Sequence, residues 1–574
     1  MADRDTTGTP YKWSFDGKCY FRYPDGDAPL PPPEYYRYAT QSGAGLRNGT
    51  SPENAWAASD LTRTVWEAFA SDIVLNLSGE FTSGMAVWGG GVEGQQVTVR
   101  GPATLNGNLT IAGEKAKYLR FEDLTINGGV VSYITHYGTT VEMNYTDSTT
   151  VVTPAGYLTS TEFVAGGIIM INEGFNGTSK HYEIASIDRG TNTLTIIPDG
   201  TWLFDPTVED GRFSTKHYHH GLSFIRCDFH PTVSTWEIFP DNMGNDMLCV
   251  DCEFDGGDLP FAAASYSTGR DAPKMTYNHR WEGCHIHNIG ELDSAQKQFD
   301  CHGMGAQVID GLVFTRCRVE EVACGYVLFP GGDDTGEIPN TGIHNVEISY
   351  CLFKNMNARR HINQYLGGGI YGTGNGPTQA VGTWKIFHNV FVDCVEPEMA
   401  MTAYGGDGIT CKGNGVTNGK TYAAYNNTII EMAKSFYFNN LLLGGNIVNN
   451  ISINNIVDAR ARHGQFNAAS GVLNVNHNIY WPDRGNNSFG GASGWGWATH
   501  QGQGLDPDSA MADPLLDANY RPQPGSPAIG NGVLMDANQR WLGNVTWPIG
   551  TDGGSFEFID LTSAPTIGAF AETT

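Results

Sequence analysis

Asp300 and His302 lie two residues apart in a strand-like run, so both side chains project to one face. Asp333, with Asp334 beside it, follows a Gly-Gly pair at the next loop, and Asp407 follows another further on. Hydrolysis of a glycosidic bond needs a protonated carboxyl and a second carboxylate roughly 5 to 10 Å apart. Neighbouring parallel strands, about 4.8 Å apart, can supply that separation. Elimination from a uronic acid needs instead a base and a cation to neutralise the sugar carboxylate, and Arg359, Arg360, His361 and Lys412 are the cations of this region. The rings of Trp236, Tyr326, Tyr371, Tyr404 and Tyr437 suit sugar faces, because a flat ring contributes contact area at low entropic cost. The densest histidine group, His217, His219 and His220, has no Asp or Cys at metal-ligand spacing, so neither a metal nor a cofactor is expected.

These residues need a scaffold, and a repeat supplies it. Ten segments share one phrase, an apolar-polar alternation followed by Cys or Asn and another apolar pair: 119–126, 222–229, 247–254, 280–286, 312–319, 346–353, 384–391, 423–430, 447–457 and 473–480. Aligned on the phrase, Cys227, Cys252, Cys284, Cys317, Cys351, Asn389, Asn427, Asn455 and Asn478 fall in one column. Their spacings, 25, 32, 33, 34, 38, 38, 28 and 23 residues, suit one solenoid turn with loops of varying length, and the period-2 alternation makes each phrase a strand. The expected fold is all-β, a single-stranded parallel β-helix. Equivalent positions then form ladders: Asn hydrogen-bonds backbone above and below, and a reduced Cys acts as a compact hydrophobe. Cys249 and Cys252, three apart, are expected on opposite faces of one strand rather than as a redox pair.

Between the phrases lies a second set of aligned strands, from Trp236–Phe239 through Phe299–Met304 and Tyr326–Phe329 to Gln465–Phe466, expected to form another wall with a groove along the axis. Residues 1–34 read as an arm or attachment segment, 35–129 as the capped start of the solenoid, 130–215 as a small β insertion, 216–484 as the central rungs and 485–574 as a closing loop and cap. The apolar residues Leu61, Val65, Trp66 and Phe69 within Ser59 to Phe69 fit a helix over the open first coil.

Composition narrows the partners. A net charge of −27 argues against nucleic acid or an anionic membrane surface. No apolar run approaches a membrane span, and the opening residues hold no signal-like apolar stretch. The eleven cysteines, five in the ladder, argue against a disulfide framework and for folding in a reducing cytoplasm.

The opening run Tyr35-Tyr-Arg-Tyr-Ala-Thr with Gly49-Thr-Ser-Pro-Glu-Asn-Ala-Trp, the rung beginning Asp300-Cys-His-Gly-Met-Gly, and the closing Asp513-Pro-Leu-Leu with Asn519-Tyr-Arg-Pro-Gln-Pro-Gly-Ser-Pro-Ala-Ile resemble right-handed parallel β-helix proteins of the bacteriophage tailspike and polysaccharide lyase kind. That resemblance implies a homotrimer that binds, and in many members cleaves, a bacterial capsule or lipopolysaccharide. It also implies attachment to other tail proteins through the N-terminal arm and a place in the virion tail after assembly in the host cytoplasm, with a secreted bacterial protein as the alternative. Glycosidic hydrolysis centred on Asp300 and His302, with Asp333 or Asp407 as the partner carboxylate, is the expected activity; β-elimination or binding without cleavage are the alternatives.

Overall fold

The computed structural model describes residues 12–15, 18–21, 36–69, 72–113, 115–132, 135–141, 144–147, 149–153, 158, 163–173, 179–197, 211–216, 219–232, 237–239, 244–257, 259, 263–266, 276–290, 302–322, 324–328, 343–356, 368–374, 382–392, 407–413, 420–439, 445–454, 462–467, 473–490, 494–535, 541–545, 547, 556–559 and 565–571. Each repeated phrase bends once and so contributes to two walls. The first wall runs from Ser223–Ile225 through Leu248–Val250, Thr276–Glu282, Ile309–Thr315 and Ile343–Ser349 to Leu473–Asn476, every pair of neighbours parallel. The second runs from Asp228–Phe229 through Glu253–Asp255, His285–His287, Arg318–Glu320 and Leu352–Lys354 to Ile479–Trp481. The third wall is the second set of strands, from Glu237–Phe239 to Arg462–Asn467, and includes a strand, Ala263–Tyr266, that the spacing did not suggest. With one strand per wall from each turn, the chain is a right-handed single-stranded parallel β-helix.

The corner between the first two walls has a single local cause. Arg226, Asp251, Gly283, Arg316, Tyr350, His388, Asn426, Asn449 and His477 all have φ between 49° and 67°, and each immediately precedes the ladder residue of its coil. This left-handed conformation costs a side-chain-bearing residue about 1–2 kcal/mol, and it turns the next side chain into the interior. Both Cys249 and Cys252 are therefore buried: the corner at Asp251 lies between them, which corrects the opposite-face expectation. Cys227, Cys252, Cys284, Cys317 and Cys351 are free thiols in the core, and burial pushes those of Cys252 and Cys317 well up.

The asparagine half of the ladder is a continuous hydrogen-bonded chain. Asn389 Oδ1 accepts from Cys351 N (3.0 Å), Asn427 Oδ1 from Asn389 N (3.1 Å), Asn450 Oδ1 from Asn427 N (2.9 Å) and Asn478 Oδ1 from Asn450 N (2.8 Å). Each Nδ2 donates to a carbonyl of the preceding coil, at Ile348, Ile386, Ala424 and Ile447. Cys252 and Cys351 point their thiols at the matching carbonyls of Phe224 and Phe314, so the thiol replaces the amide donor but not its acceptor. Asn450, not Asn455, is the rung member: the steps from Asn427 are 23 and then 28 residues, the reverse of the sequence reading. Two Asn-Asn doublets compete in 447–457, and the first follows the inward-facing Ile447, as the corner requires.

Inside the prism, side chains stack in register, as in the parallel ring pairs Phe229–Phe254 (5.0 Å, 13°) and Phe353–Phe391 (4.9 Å, 6°). The first coils stack Tyr36–Thr40, Val74–Leu77, Val97–Leu105 and Leu119–Ile126. The helix beside them is shorter than the amphipathic pattern, covering only Arg63–Glu67, with Trp66 buried in the core and Phe69 packed against it. Strands between Thr135 and Lys216 form a separate seven-stranded antiparallel sheet with its own core around Phe163, Ile169, Tyr182 and Leu194. An antiparallel pair, Lys12–Phe15 with Lys18–Phe21, lies near the N-terminus. The C-terminal segment lies on the outer face of the second wall, with Leu542, Ala569 and Phe570 against Leu352, Val390 and Val392, and Ala528 and Ile567 against Ile451 and Ile479. No helix among the described residues is long and apolar enough to cross a membrane.

Asn427→Ala should lower the urea midpoint. It strands the buried N–H of Asn389 and carbonyl of Ile386, each worth on the order of 1–3 kcal/mol when left unsatisfied. An unchanged midpoint would show that the ladder bonds contribute nothing to stability.

Candidate functional site

Among the described residues, the third wall does not present the predicted residues as a group. Asp300, Asp333, Asp334, Trp236, Tyr404, Arg359, Arg360, His361 and His217 lie outside the described residues. His302 opens the strand His302–Ala306 at 1% exposure, and burial drops its imidazole to about 3, leaving it neutral at physiological pH. It is an interior group, so the expectation that it handles protons at a surface groove is corrected. Tyr326 is corrected likewise: Met304, Tyr326, Ile370, Ile409 and Phe436 are register neighbours in one inward column, and the ring of Tyr326 meets Phe314 edge-on at 5.0 Å. The opposite column places Tyr371 beside Thr410, and Thr410 beside Tyr437.

Asp407 and Tyr437 are linked through Lys434. Lys434 Nζ reaches Asp407 Oδ1 at 3.2 Å, Thr410 Oγ1 donates to Asp407 Oδ2 at 3.1 Å, and the Lys434 ammonium stands 4.9 Å from the Tyr437 ring centroid. All four side chains are buried. Asp407 is thus half of a buried ion pair, and Tyr437 has little free ring surface.

A better-formed polar cluster occupies the second wall. In the phrases Cys227-Asp-Phe-His, Cys252-Glu-Phe-Asp, Cys284-His-Ile-His and Cys317-Arg-Val-Glu, the middle apolar residue points inward and its two neighbours outward. Register stacks Asp228, Glu253, His285 and Arg318 in one column and Asp255, His287 and Glu320 in the next, with His230 beside Asp255. From Leu352 onward the first column is apolar apart from Thr428, and the C-terminal segment covers it.

The contacts within the cluster are close. His287 Nε2 lies 3.0 Å from Glu253 Oε1, and His285 Nε2 donates to Glu320 Oε1 at 2.9 Å. Arg318 holds the other oxygen of Glu320 at 2.8 Å, and Asn288 Nδ2 donates to Asp255 Oδ1 at 3.0 Å. Hydrogen bonds from His285 and His287 hold Glu253 down at about 2. Burial works against the charge of Glu320, but His285 and Arg318 bring it to about 2 as well. Burial also opposes the charge of His285, yet Glu253 and Glu320 raise it above the usual imidazole value. The hydrogen bond to Asp255 raises His230.

Asp251, at the corner next to this face, goes the other way. Burial pushes its carboxyl up to about 6 despite the nearby guanidinium groups of Arg226 and Arg316. Arg226 is engaged by Asp123 (2.6 Å) and Arg316 by Glu282, so neither cation is dedicated to Asp251. A Cβ on Gly283 would collide with the Asp251 carboxylate, so glycine in the next coil makes its room. Two carboxyls two residues apart are thus held at widely different proton affinities.

Sequence reasoning missed Asp251, Glu253, His285 and His287 because each sits inside a ladder phrase. The signal was present, since an acidic or basic residue flanks each inward apolar position. The expectation of no metal set rested on spacing along the chain, whereas stacking gathers imidazole and carboxylate donors 32 to 34 residues apart.

Neither a family model nor a curated protein sequence matches this chain. Among solved structures, pectate lyase Pel9A is 13% identical, with 94% of this chain and 96% of that one covered at a TM-score of 0.37. The tailspike gp49 of Pseudomonas phage LKA1 is 10% identical over 72% of this chain and 67% of its own, TM-score 0.26. The Gp54 tailspike of Acinetobacter baumannii bacteriophage AP22, solved with a capsular saccharide, is 9% identical over 73% and 67%, TM-score 0.23. The parallel β-helix itself follows from the strand register.

The cluster should leave a signature in stability against pH. Glu253 and Glu320 are depressed, so their contribution is present above the usual 4.5 and is lost as pH falls towards 2. His230 and His285 are raised, so theirs is present below the usual 6.5 and is lost as pH rises through the folded value. Glu253→Gln should therefore destabilise most near pH 5 to 6, by about 3 kcal/mol at most, and hardly at all near pH 2. A melting-temperature deficit that stays constant across this range would contradict the pairing.

Proposed function

We propose that this chain is a tailspike-like depolymerase that binds a bacterial surface polysaccharide and hydrolyses its glycosidic bonds. The observation that carries the reading is the outer face of the second wall, where polar columns stack in register from Asp228 to Glu320: Glu253 within them is held near 2, and Asp251, at the corner next to this face, is pushed up to about 6. A glycosidase requires such a division between a carboxyl that keeps its proton and carboxylates that do not. Asp251 is the proton donor to the leaving oxygen. The columns from Asp228 to Glu320 run along the solenoid axis with a step of about 4.8 Å, a repeat that successive sugar rings can follow with their hydroxyls.

The opening and closing motifs support the same substrate class and imply a homotrimer joined to a phage tail by its N-terminal arm. Asp300, with Asp333 or Asp407 as its partner carboxylate, remains the proton-transfer alternative that the sequence suggests. β-Elimination is the second reading, favoured by Arg318, His230 and His285, which can offset a uronate carboxylate.

The test is chain shortening on a panel of purified capsules and lipopolysaccharides. Wild-type protein should shorten one of them, with a rate that falls as pH rises through about 6, and Asp251→Asn should lose about 10²-fold or more while still binding and folding. Full activity in Asp251→Asn combined with loss in Asp300→Asn would move the chemistry to the third wall. An unsaturated, ultraviolet-absorbing product would select elimination. Binding without shortening would remove the enzymatic reading altogether.

A further inference from the structure

We propose that Glu253, His285 and His287 form a site for one divalent transition-metal ion of the zinc class on the outer face of the second wall. One donor atom from each of the three lies within 4.8 Å of the others. Glu253 Oε1 is the point of convergence, 3.0 Å from His287 Nε2 and 3.7 Å from His285 Nδ1. The two imidazoles stack at 4.0 Å with an 18° interplanar angle, so their nitrogen-bearing edges address the same carboxylate. Strand register enforces this, since Glu253 and His285 are direct neighbours and His287 is one outward step along.

The donor set selects the ion. Two imidazoles and one carboxylate suit zinc and its first-row neighbours, whereas calcium and magnesium take oxygen ligands. Three protein ligands also leave a coordination position open. Side-chain exposures of 19% for Glu253, 7% for His285 and 14% for His287 make the group ordered yet reachable from solvent.

The surroundings have the form that orients metal-bound histidines, in which the ring nitrogen away from the metal is held by a carboxylate. His285 Nε2, opposite its ligating Nδ1, is bonded to Glu320 at 2.9 Å, and Glu320 is fixed in turn by Arg318. His287 Nδ1, opposite its ligating Nε2, is instead contacted by Asn288 Nδ2 at 2.8 Å, with Asp255 Oδ1 further off at 3.7 Å, so the carboxylate-backed form is complete at His285 alone. Asp228 and His230 form a second donor group with Glu253 from the preceding coil, placing more cation-attracting atoms at the same edge. Metal here would join strands 32 to 34 residues apart in sequence, and the inference stands whether or not the chain cleaves a glycan.

The experiment uses the full chain stripped with a chelator and titrated calorimetrically with Zn²⁺, with Ca²⁺ and Mg²⁺ in parallel, and with Co²⁺ followed by visible absorption. Saturable binding of one Zn²⁺, a rise in melting temperature, and Co²⁺ bands of a low-coordinate nitrogen–oxygen site are expected, with no comparable effect of Ca²⁺ or Mg²⁺. His287→Ala should abolish the binding, and Glu320→Gln, which leaves the ligands in place, should weaken it about 10- to 100-fold. Should His287→Ala fail to fold without metal, His287→Gln, whose side-chain amide can still donate to Glu253, serves as the substitute. Absence of Zn²⁺ binding, equal binding of Ca²⁺, or Zn²⁺ binding undiminished in these variants would overturn the site.

Discussion

The left-handed residue before each ladder position is the constraint on which the rest of this molecule depends. It turns the chain from the first wall into the second at the same point of every coil, and it aims the following Cys or Asn into the interior. A non-glycine residue adopts that conformation at a cost of about 1–2 kcal/mol, so neighbouring coils must offset it. In the C-terminal half the offset is visible as asparagine amides bonded above and below from Asn389 to Asn478. In the N-terminal half, free cysteines fill the same column, and the thiols of Cys227, Cys252 and Cys351 face the equivalent carbonyls. A nearest-neighbour stack of this kind carries register from one coil to the next without long-range organisation.

Once the register is set, the outer surface follows by alternation. Residues either side of each inward Phe, Ile or Val must point out, so columns of like position run along the axis. Where those columns are apolar, at Leu352, Val390, Ile451 and Ile479, the C-terminal segment covers them. Where they are charged, from Asp228 to Glu320, close stacking of carboxylates and imidazoles shifts their proton affinities in opposite directions. The same geometry that makes the fold repetitive therefore concentrates chemistry that no single coil contains.

Much of this was legible in the residues. The column from Cys227 to Asn427, the second set of strands and the all-β class follow from periodicity, because a repeated phrase samples the same physical environment many times. Asn450 was misassigned to Asn455 because two identical doublets sit five residues apart and only the left-handed turn at Asn449 decides between them. Tyr326 and His302 looked like groove residues, but the face of a strand is set by its neighbours, and Met304 and Ile370 place that column inside. Glu253, His285 and His287 were hidden for the opposite reason: their role arises only when coils are stacked, and the chain separates Glu253 from the two histidines by more than thirty residues.

The central claim, that coil stacking places residues of successive phrases side by side on the second wall, is tested most directly by engineered cross-linking. Glu253→Cys with His285→Cys puts thiols on register neighbours about 4.8 Å apart, within the Cα separation a disulfide requires. Asp228→Cys with His285→Cys puts them two coils apart, at about 9.6 Å, which is too far. Mild oxidation of the folded protein followed by peptide mass mapping should find the disulfide in the first pair and not in the second. Cross-linking in the second pair but not the first would contradict the stacking and every site built on it.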